Sequence, residues 1–272
     1  MRELAPHYWL AAAMIAYVAA GGLALGATVL GRSPDRAVLA LLAGAVALHT
    51  LSLALRWQSV GHGPFITMFE VLSSNIWSLA LVFTLAYWRI PAVRPGAAFV
   101  LPVLFLMMGW LLASSADQGH LPPTFRTLWL YVHVGLGKVF LGALLVAVGI
   151  GGVLLTRAAR PDRQCFAALP DDERLERLAF RFVIVAFLFE SLMLIAGAIW
   201  AQGAWGRYWA WDPLETWAFA TWLALGFFIH LRATWRLPPR YAALAIIGVF
   251  SLAFLTFFGV PFVSTMPHKG AL

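Results

Sequence analysis

The sequence predicts an all-α integral membrane protein of about eight spanning helices, with both termini external and a tryptophan-rich external loop between the sixth and seventh. Three observations predict it. Hydrophobic residues make up 62% of the 272-residue chain and charged residues only 11%, against roughly 45–50% and about 25% in an ordinary globular domain. Charge that sparse cannot cover the surface of a water-soluble particle. Eight apolar runs approach the ~20 residues that cross a bilayer. The basic residues gather at alternate ends of those runs.

The runs are 8–30, 37–56, 70–90, 97–113, 128–155, 180–200, 213–231 and 242–262. The first is longer than the ~7–15-residue core of a signal peptide, and Gly26 to Gly31 offers no small-x-small cleavage site, so it reads as a helix. The third opens on Glu70, an acid that suits a helix N-terminus. The fourth run is short and the fifth long. The sixth follows the one substantial polar segment, Arg157 to Arg181, where Asp171, Asp172, Glu173, Arg174, Glu176 and Arg177 read as a solvated helix start. The seventh opens on Asp212-Pro213, an N-cap followed by proline at the first helical position, with Glu215 at the capping-box position. No segment is long and polar enough for an ectodomain, and no internal repeat or low-complexity stretch is visible. The chain reads as one transmembrane domain, 1–272.

Charge gives orientation. Seventeen of the 19 basic residues are Arg, at the ends of apolar runs. The odd-to-even loops hold Arg32, Arg36, Arg89, Arg94, Arg157, Arg160, Arg163, Arg174, Arg177, Arg181, Arg232, Arg236 and Arg240, thirteen in all. The opposite face holds Arg2, Arg56, Arg126, Arg207 and Lys269, five in all. The positive-inside rule therefore puts both termini outside. The net charge of +7 is topology information and does not point to nucleic acid. One cysteine, Cys165, excludes an internal disulfide, a CxxC redox pair and a thiolate cluster.

Six of the 13 tryptophans (Trp200, Trp205, Trp209, Trp211, Trp217 and Trp222) fall within 23 residues. Interfacial belts would spread them over many helix ends. The capped start of the seventh span pins the loop to a helix N-terminus, which has free N–H groups and the positive pole of the dipole. A rigid shelf of indoles there, beside Gly206, suits a flat, aromatic, anionic ligand. Haem, a planar macrocycle with two propionates, fits. The bland alternative is an aromatic belt plus a helix cap, which explains any single Trp better than it explains six.

Haem iron takes axial histidines. His133 lies at the outer start of the fifth span. The Trp loop comes two crossings later and His268 two crossings after that, so all three share the external face. Alone, either histidine reads as an interfacial hydrogen-bonding residue; together, flanking the loop, they favour ligation. His230 lies 17 residues beyond Pro213, about 25 Å along a helix. It marks a second, inner site or is a structural interfacial residue beside Arg232. His49 sits over halfway up the second span, and His7, His62 and His120 are external, so a partner ligand for His230 would come from another chain. Glu70, Lys138 and Glu190 lie within or at the edges of spans, where ionisable groups are functional candidates. Glu190 could pair with Lys138 or stand as a hydrogen-bonded neutral acid. A polar packing contact is favoured over a proton relay.

The run Trp205-Gly206-x-x-Trp209-x-Trp211-Asp212-Pro213-x-Glu215-Thr216-Trp217, followed by Trp222, His230 and Arg232, resembles the "WWD" signature of the cytochrome c assembly superfamily. It is most similar to the CcsA-type (ResC-type) subunits of system II cytochrome c synthases. Leu178 to Arg181 through Trp200 is similar to that family's approach helix, and Leu130 to Val134 to its upstream histidine segment. Arg56-Trp57, Gly61-His62-Gly63-Pro64 and Phe69-Glu70 resemble another family stretch, and the tail Pro261 to Gly270 is a loose match.

The resemblance implies haem b as bound substrate, with His133 and His268 as external iron ligands, His230 as an inner site, and the Trp loop (Trp205, Gly206, Trp209, Trp211, Asp212, Pro213, Glu215, Trp217, Trp222) holding the macrocycle. It places the haem-handling core at about 128–272. It implies a subunit of a holocytochrome c synthase in a bacterial cytoplasmic membrane, with its haem site facing the periplasm or cell exterior. The expected partners are a CcsB-type (ResB-type) membrane protein, an apocytochrome c whose Cys-x-x-Cys-His thiols attack the vinyl groups, and, indirectly, a thioredoxin-like reductant. No side chain is an obvious acid or base, so the residues act as a template. The alternatives are a HemX-like haem-binding regulator of haem biosynthesis and a transporter using Glu190 and Lys138.

Overall fold

The computed structural model describes residues 5–30, 34–160, 166, 169–235 and 237–263. Every regular element among them is helical. The long helices are α1 (Ala5–Leu30), α2 (Asp35–Val60), α3 (Met68–Arg89), α4 (Ala97–Ala113), α5 (Leu128–Ala159), α6 (Asp172–Trp205), α7 (Pro213–Thr234) and α8 (Pro239–Phe254). Eight helical segments are long and apolar enough to cross a membrane, as the hydropathy pattern predicts.

The differences have local causes. The fourth span gains length because a 3-10 segment, Pro91–Gly96, leads directly into α4. The sixth begins earlier than its apolar run, since Asp171 caps α6 by accepting the Arg174 backbone N–H at 2.8 Å. At 34 residues α6 is about 51 Å long, against a hydrocarbon core of about 30 Å. α8 passes into a π-helical turn, Leu255–Gly259, before Val260–Val263.

The helices fall into two compact units. In the first, α1 and α2 form a hairpin, α3 packs on α2, and α4 packs on α3 and α1. Its polar ends are pinned. Arg94 pairs with Asp35 at 2.8 Å. At the opposite end a capping box joins Thr67 and Glu70. The fully buried Glu70 also receives Arg56 Nε at 3.1 Å, and Arg56 in turn donates to the Ala116 and Asp117 carbonyls. The expectation that Glu70 is a helix-start acid holds, with a guanidinium added.

In the second unit α5 is central and largely buried, whereas most of α7 is open on its outer side. The α5–α6 hairpin is antiparallel. Arg157 meets the Pro170 carbonyl and the Asp172 carboxylate at one end, and His133 meets Met193 at the other. α8 packs on α5, and α7 on α6 and α8. Glu176 corrects the reading of a solvated charge run. It is buried and holds Arg232 by two hydrogen bonds of 2.9 Å, because α7 returns to the charged start of α6.

Candidate functional site

The site lies in the second unit, where α5 begins and α6 ends. Thr127 caps α5 by accepting the Trp129 N–H at 3.3 Å. One turn further on, His133 Nδ1 donates to the Met193 carbonyl at 2.9 Å. A carbonyl only accepts, so this contact puts the proton on Nδ1 and the lone pair on Nε2. The Trp200 indole lies nearly parallel to the imidazole, with centroids 6.1 Å apart and planes at 25°. Trp200 is buried and donates from Nε1 to the Thr124 carbonyl at 3.3 Å. The Phe125 ring meets its edge at 5.1 Å and Trp205 meets it at 4.9 Å.

α6 stops at Gly206, whose φ of 73° is the left-handed conformation that terminates helices. The loop then climbs to α7. Arg207 and Tyr208 are exposed. Trp209 packs 5.5 Å from Trp211 and 6.2 Å from Phe219, with its Nε1 buried and lacking an acceptor among the described residues. Trp211 has φ of 58°, unusual for a bulky side chain, and its indole is 65% exposed. Thr216 Oγ1 donates to the Trp211 carbonyl at 3.2 Å.

Asp212 is the N-cap, accepting the Glu215 N–H at 2.9 Å, and Pro213 is the first helical residue, both as expected. Glu215 departs from the capping-box expectation. Its carboxylate accepts the Ala210 N–H at 2.7 Å, two residues before the cap. The left-handed turn at Trp211 folds Ala210 back over the helix end and makes this reach possible.

The tryptophans do not form one flat shelf. Trp209–Trp211 and Trp211–Phe219 meet edge to face, at 84° and 82°. Trp222 faces inward, stacked between Phe219 at 5.7 Å and Phe187 at 5.4 Å, with its Nε1 donating to Ser191 Oγ at 2.8 Å. Trp217 is exposed on α7. The result is an interlocked cluster of Trp209, Trp211, Phe219, Trp222 and Phe187 with Trp211 at its surface. Edge-to-face contacts are favoured because a ring's positive edge meets the negative face of its neighbour.

The structure thus joins His133, Trp200 and Trp205 in one continuous set of ring contacts that ends where the loop begins. His230 is exposed on α7, about 25 Å along the helix from its start at Pro213, and its neighbour Arg232 is engaged by Glu176 and lies 3.9 Å from the Phe180 ring. His268 and Cys165 lie outside the described residues. Glu190 is fully buried, and neither oxygen has a hydrogen-bond partner among the described residues, Lys138 included. The sequence reading missed Met193, Gly197 and Phe125. Met193, Gly197 and Trp200 share one face of α6 at spacings of four and three, but a carbonyl and a glycine carry no compositional mark.

Residues 37–268 match the family model described as Cytochrome C assembly protein. Cytochrome c biogenesis protein CcsA of Synechococcus sp. (strain CC9605) is 31% identical over 256 residues, 81% of this chain and 83% of the relative. CcsA of Prochlorococcus marinus (strain MIT 9301) is 28% identical over 255 residues, 82% and 80% of the two chains. CcsA of Solanum lycopersicum is 29% identical over 251 residues, 80% of each. Among solved structures, Cytochrome c Heme Lyase CcmF shares the fold at a TM-score of 0.71 and 20% identity, over 95% of this chain and 47% of that one. The chain therefore spans about half the length of that solved relative. On the extent of these matches, the chain belongs to the cytochrome c assembly protein family and is of the CcsA type.

Proposed function

We propose that this cytochrome c biogenesis protein binds haem at the His133–Trp loop end of its second helical unit and presents it for covalent attachment to apocytochrome c. The observation that carries the reading is a tautomer-fixed imidazole stacked on Trp200, which leads through Trp205 to the start of a loop whose Trp211 stays exposed. The donor set fits the ligand. His133 offers an Nε2 lone pair, as an axial ligand requires. The buried Trp209 N–H lacks an acceptor among the described residues, which a propionate could supply. Trp211 and Trp217 offer apolar faces to a macrocycle.

In this mechanism the chain's residues bind and orient. His133 holds the iron, with His268 as the second external ligand. The loop residues Trp205 to Trp217 hold the ring, and the capped start of α7 keeps the loop in place. The bound haem supplies two vinyl groups, across each of which an apocytochrome thiol adds its S–H. The named residues bind and orient and are given no proton-transfer role, so rate comes from proximity and orientation. The haem face is external, the second unit is the haem-handling part, and haem moves outward by way of His230. A CcsB-type partner completes the inner ligand set. The exposed side of α7, which carries His230, is compatible with a ligand from another chain.

The test is the absorption spectrum of the purified protein, with and without its partner. A bis-histidine haem spectrum is expected. His133→Ala and His268→Ala should each purify with less haem and make less holocytochrome, with partial rescue by imidazole. Wild-type spectra and yield in both variants would overturn the assignment.

A further inference from the structure

We propose that Gly197 and Trp200 are positioning residues that hold the His133 imidazole with Nε2 directed to the haem iron; this rests on the reading that His133 is an iron ligand. Three residues on one face of α6 act on one ring. Met193 accepts the Nδ1 proton at 2.9 Å, which fixes the tautomer and strengthens Nε2 as a donor. Trp200 closes one side of the imidazole with its nearly parallel indole. Trp200 cannot swing away easily, because Thr124 holds its Nε1 and Phe125 abuts its edge.

Gly197 supplies the space. A Cβ built there would lie 2.7 Å from His133 Nδ1 and 2.8 Å from its Cε1. Both ends of that contact are constrained, one by helix backbone and the other by the Met193 hydrogen bond, so a methyl group must displace the ring. Glycine inside a helix is less favourable than alanine. Its presence mid-helix, facing this histidine, is what close approach of the imidazole requires. Trp200 also meets Trp205 at 4.9 Å, so the same residue that orients the imidazole touches the last residue before the loop.

Gly203 provides the control. It lies on the same helix, and a Cβ there meets nothing within 4 Å. Both substitutions replace a glycine of α6 by the better helix former, so an effect of helix propensity alone would change both variants in the same direction.

The experiment compares full-length wild type, Gly197→Ala, Gly203→Ala, Trp200→Leu, Trp200→Phe and His133→Ala. In haem-free protein, carbethoxylation of His133 by diethylpyrocarbonate is followed by mass spectrometry. Gly197→Ala and Trp200→Leu should react faster by about threefold or more, as expected for a ring released from a packed position. Gly203→Ala should match wild type. With ferric haem added, Gly197→Ala should lose the bis-histidine spectrum and regain it in part with imidazole. Trp200→Phe, which keeps a ring, should fall between wild type and Trp200→Leu, and serves as the readout if Gly197→Ala does not fold. If Gly197→Ala, or failing it Trp200→Phe, matches wild type in both measurements, the positioning role is wrong. If His133→Ala keeps the wild-type haem spectrum, the ligand reading itself fails, and the proposal with it.

Discussion

The Glu215 carboxylate holds the Ala210 backbone N–H at 2.7 Å, reaching past the Asp212 cap to a residue that precedes the helix by three positions. Glu215 therefore fixes the loop and Asp212 fixes the helix, a division of work that predicts different losses. Glu215→Ala removes a charge-assisted hydrogen bond, worth about 1.5–3 kcal/mol when lost from a part-buried site. It should loosen the loop around Trp209 and Trp211 and lower haem retention. Glu215→Gln keeps an acceptor and should retain most of both. Haem content after size-exclusion chromatography checks this.

Asp212→Ala should lower stability by about 1 kcal/mol, the usual cost of a lost N-cap, while Asp212→Asn should be nearly neutral. Thermal unfolding in detergent, followed by circular dichroism, separates the two. A loss in the alanine variant no larger than in the asparagine one would remove the cap from the account.

Trp211 stores backbone strain. A non-glycine residue in the left-handed region costs roughly 1–2 kcal/mol, and such outliers persist where surrounding structure over-determines them. Trp211→Gly should therefore raise or preserve the melting temperature of the haem-free protein while lowering its haem retention. Opposite signs in the two readouts mark a residue kept for its ligand. A drop in both would make Trp211 a structural residue.

Glu70→Ala leaves the Arg56 guanidinium buried without its carboxylate. Breaking such a pair costs about 3–5 kcal/mol, whereas replacing both partners by apolar groups is much milder. Glu70→Leu combined with Arg56→Met should thus be more stable than Glu70→Leu alone. A double-mutant cycle on melting temperature reads the coupling, and additive losses would show that the two charges do not support each other.

The helices were legible because apolar run length and charge placement are one-dimensional signals, and a bilayer reads them the same way. Helix ends were less so. Arg157 to Arg181 looks solvated until α7 returns Arg232 to Glu176, a pairing between residues 56 apart. The Trp cluster was legible as composition, whereas its edge-to-face packing depends on Phe187 and Phe219, which look like ordinary core. His133 was visible as a candidate donor. Its orientation was not, since a carbonyl at Met193 and an absent side chain at Gly197 set it.

The π-helical turn at Leu255–Gly259 closes with the Val260 N–H on the Leu255 carbonyl, one residue beyond the α-helical pattern. It amounts to a single-residue insertion absorbed without breaking the helix. Each such residue carries the downstream chain about 100° further round the axis, given 3.6 residues per turn. Val260 and Pro261 therefore face a different direction from the one an unbroken α8 would give them. Deleting one residue from this turn should restore a regular ladder and re-index the end of the helix. That makes it a length change whose effect is rotation, with little loss of reach.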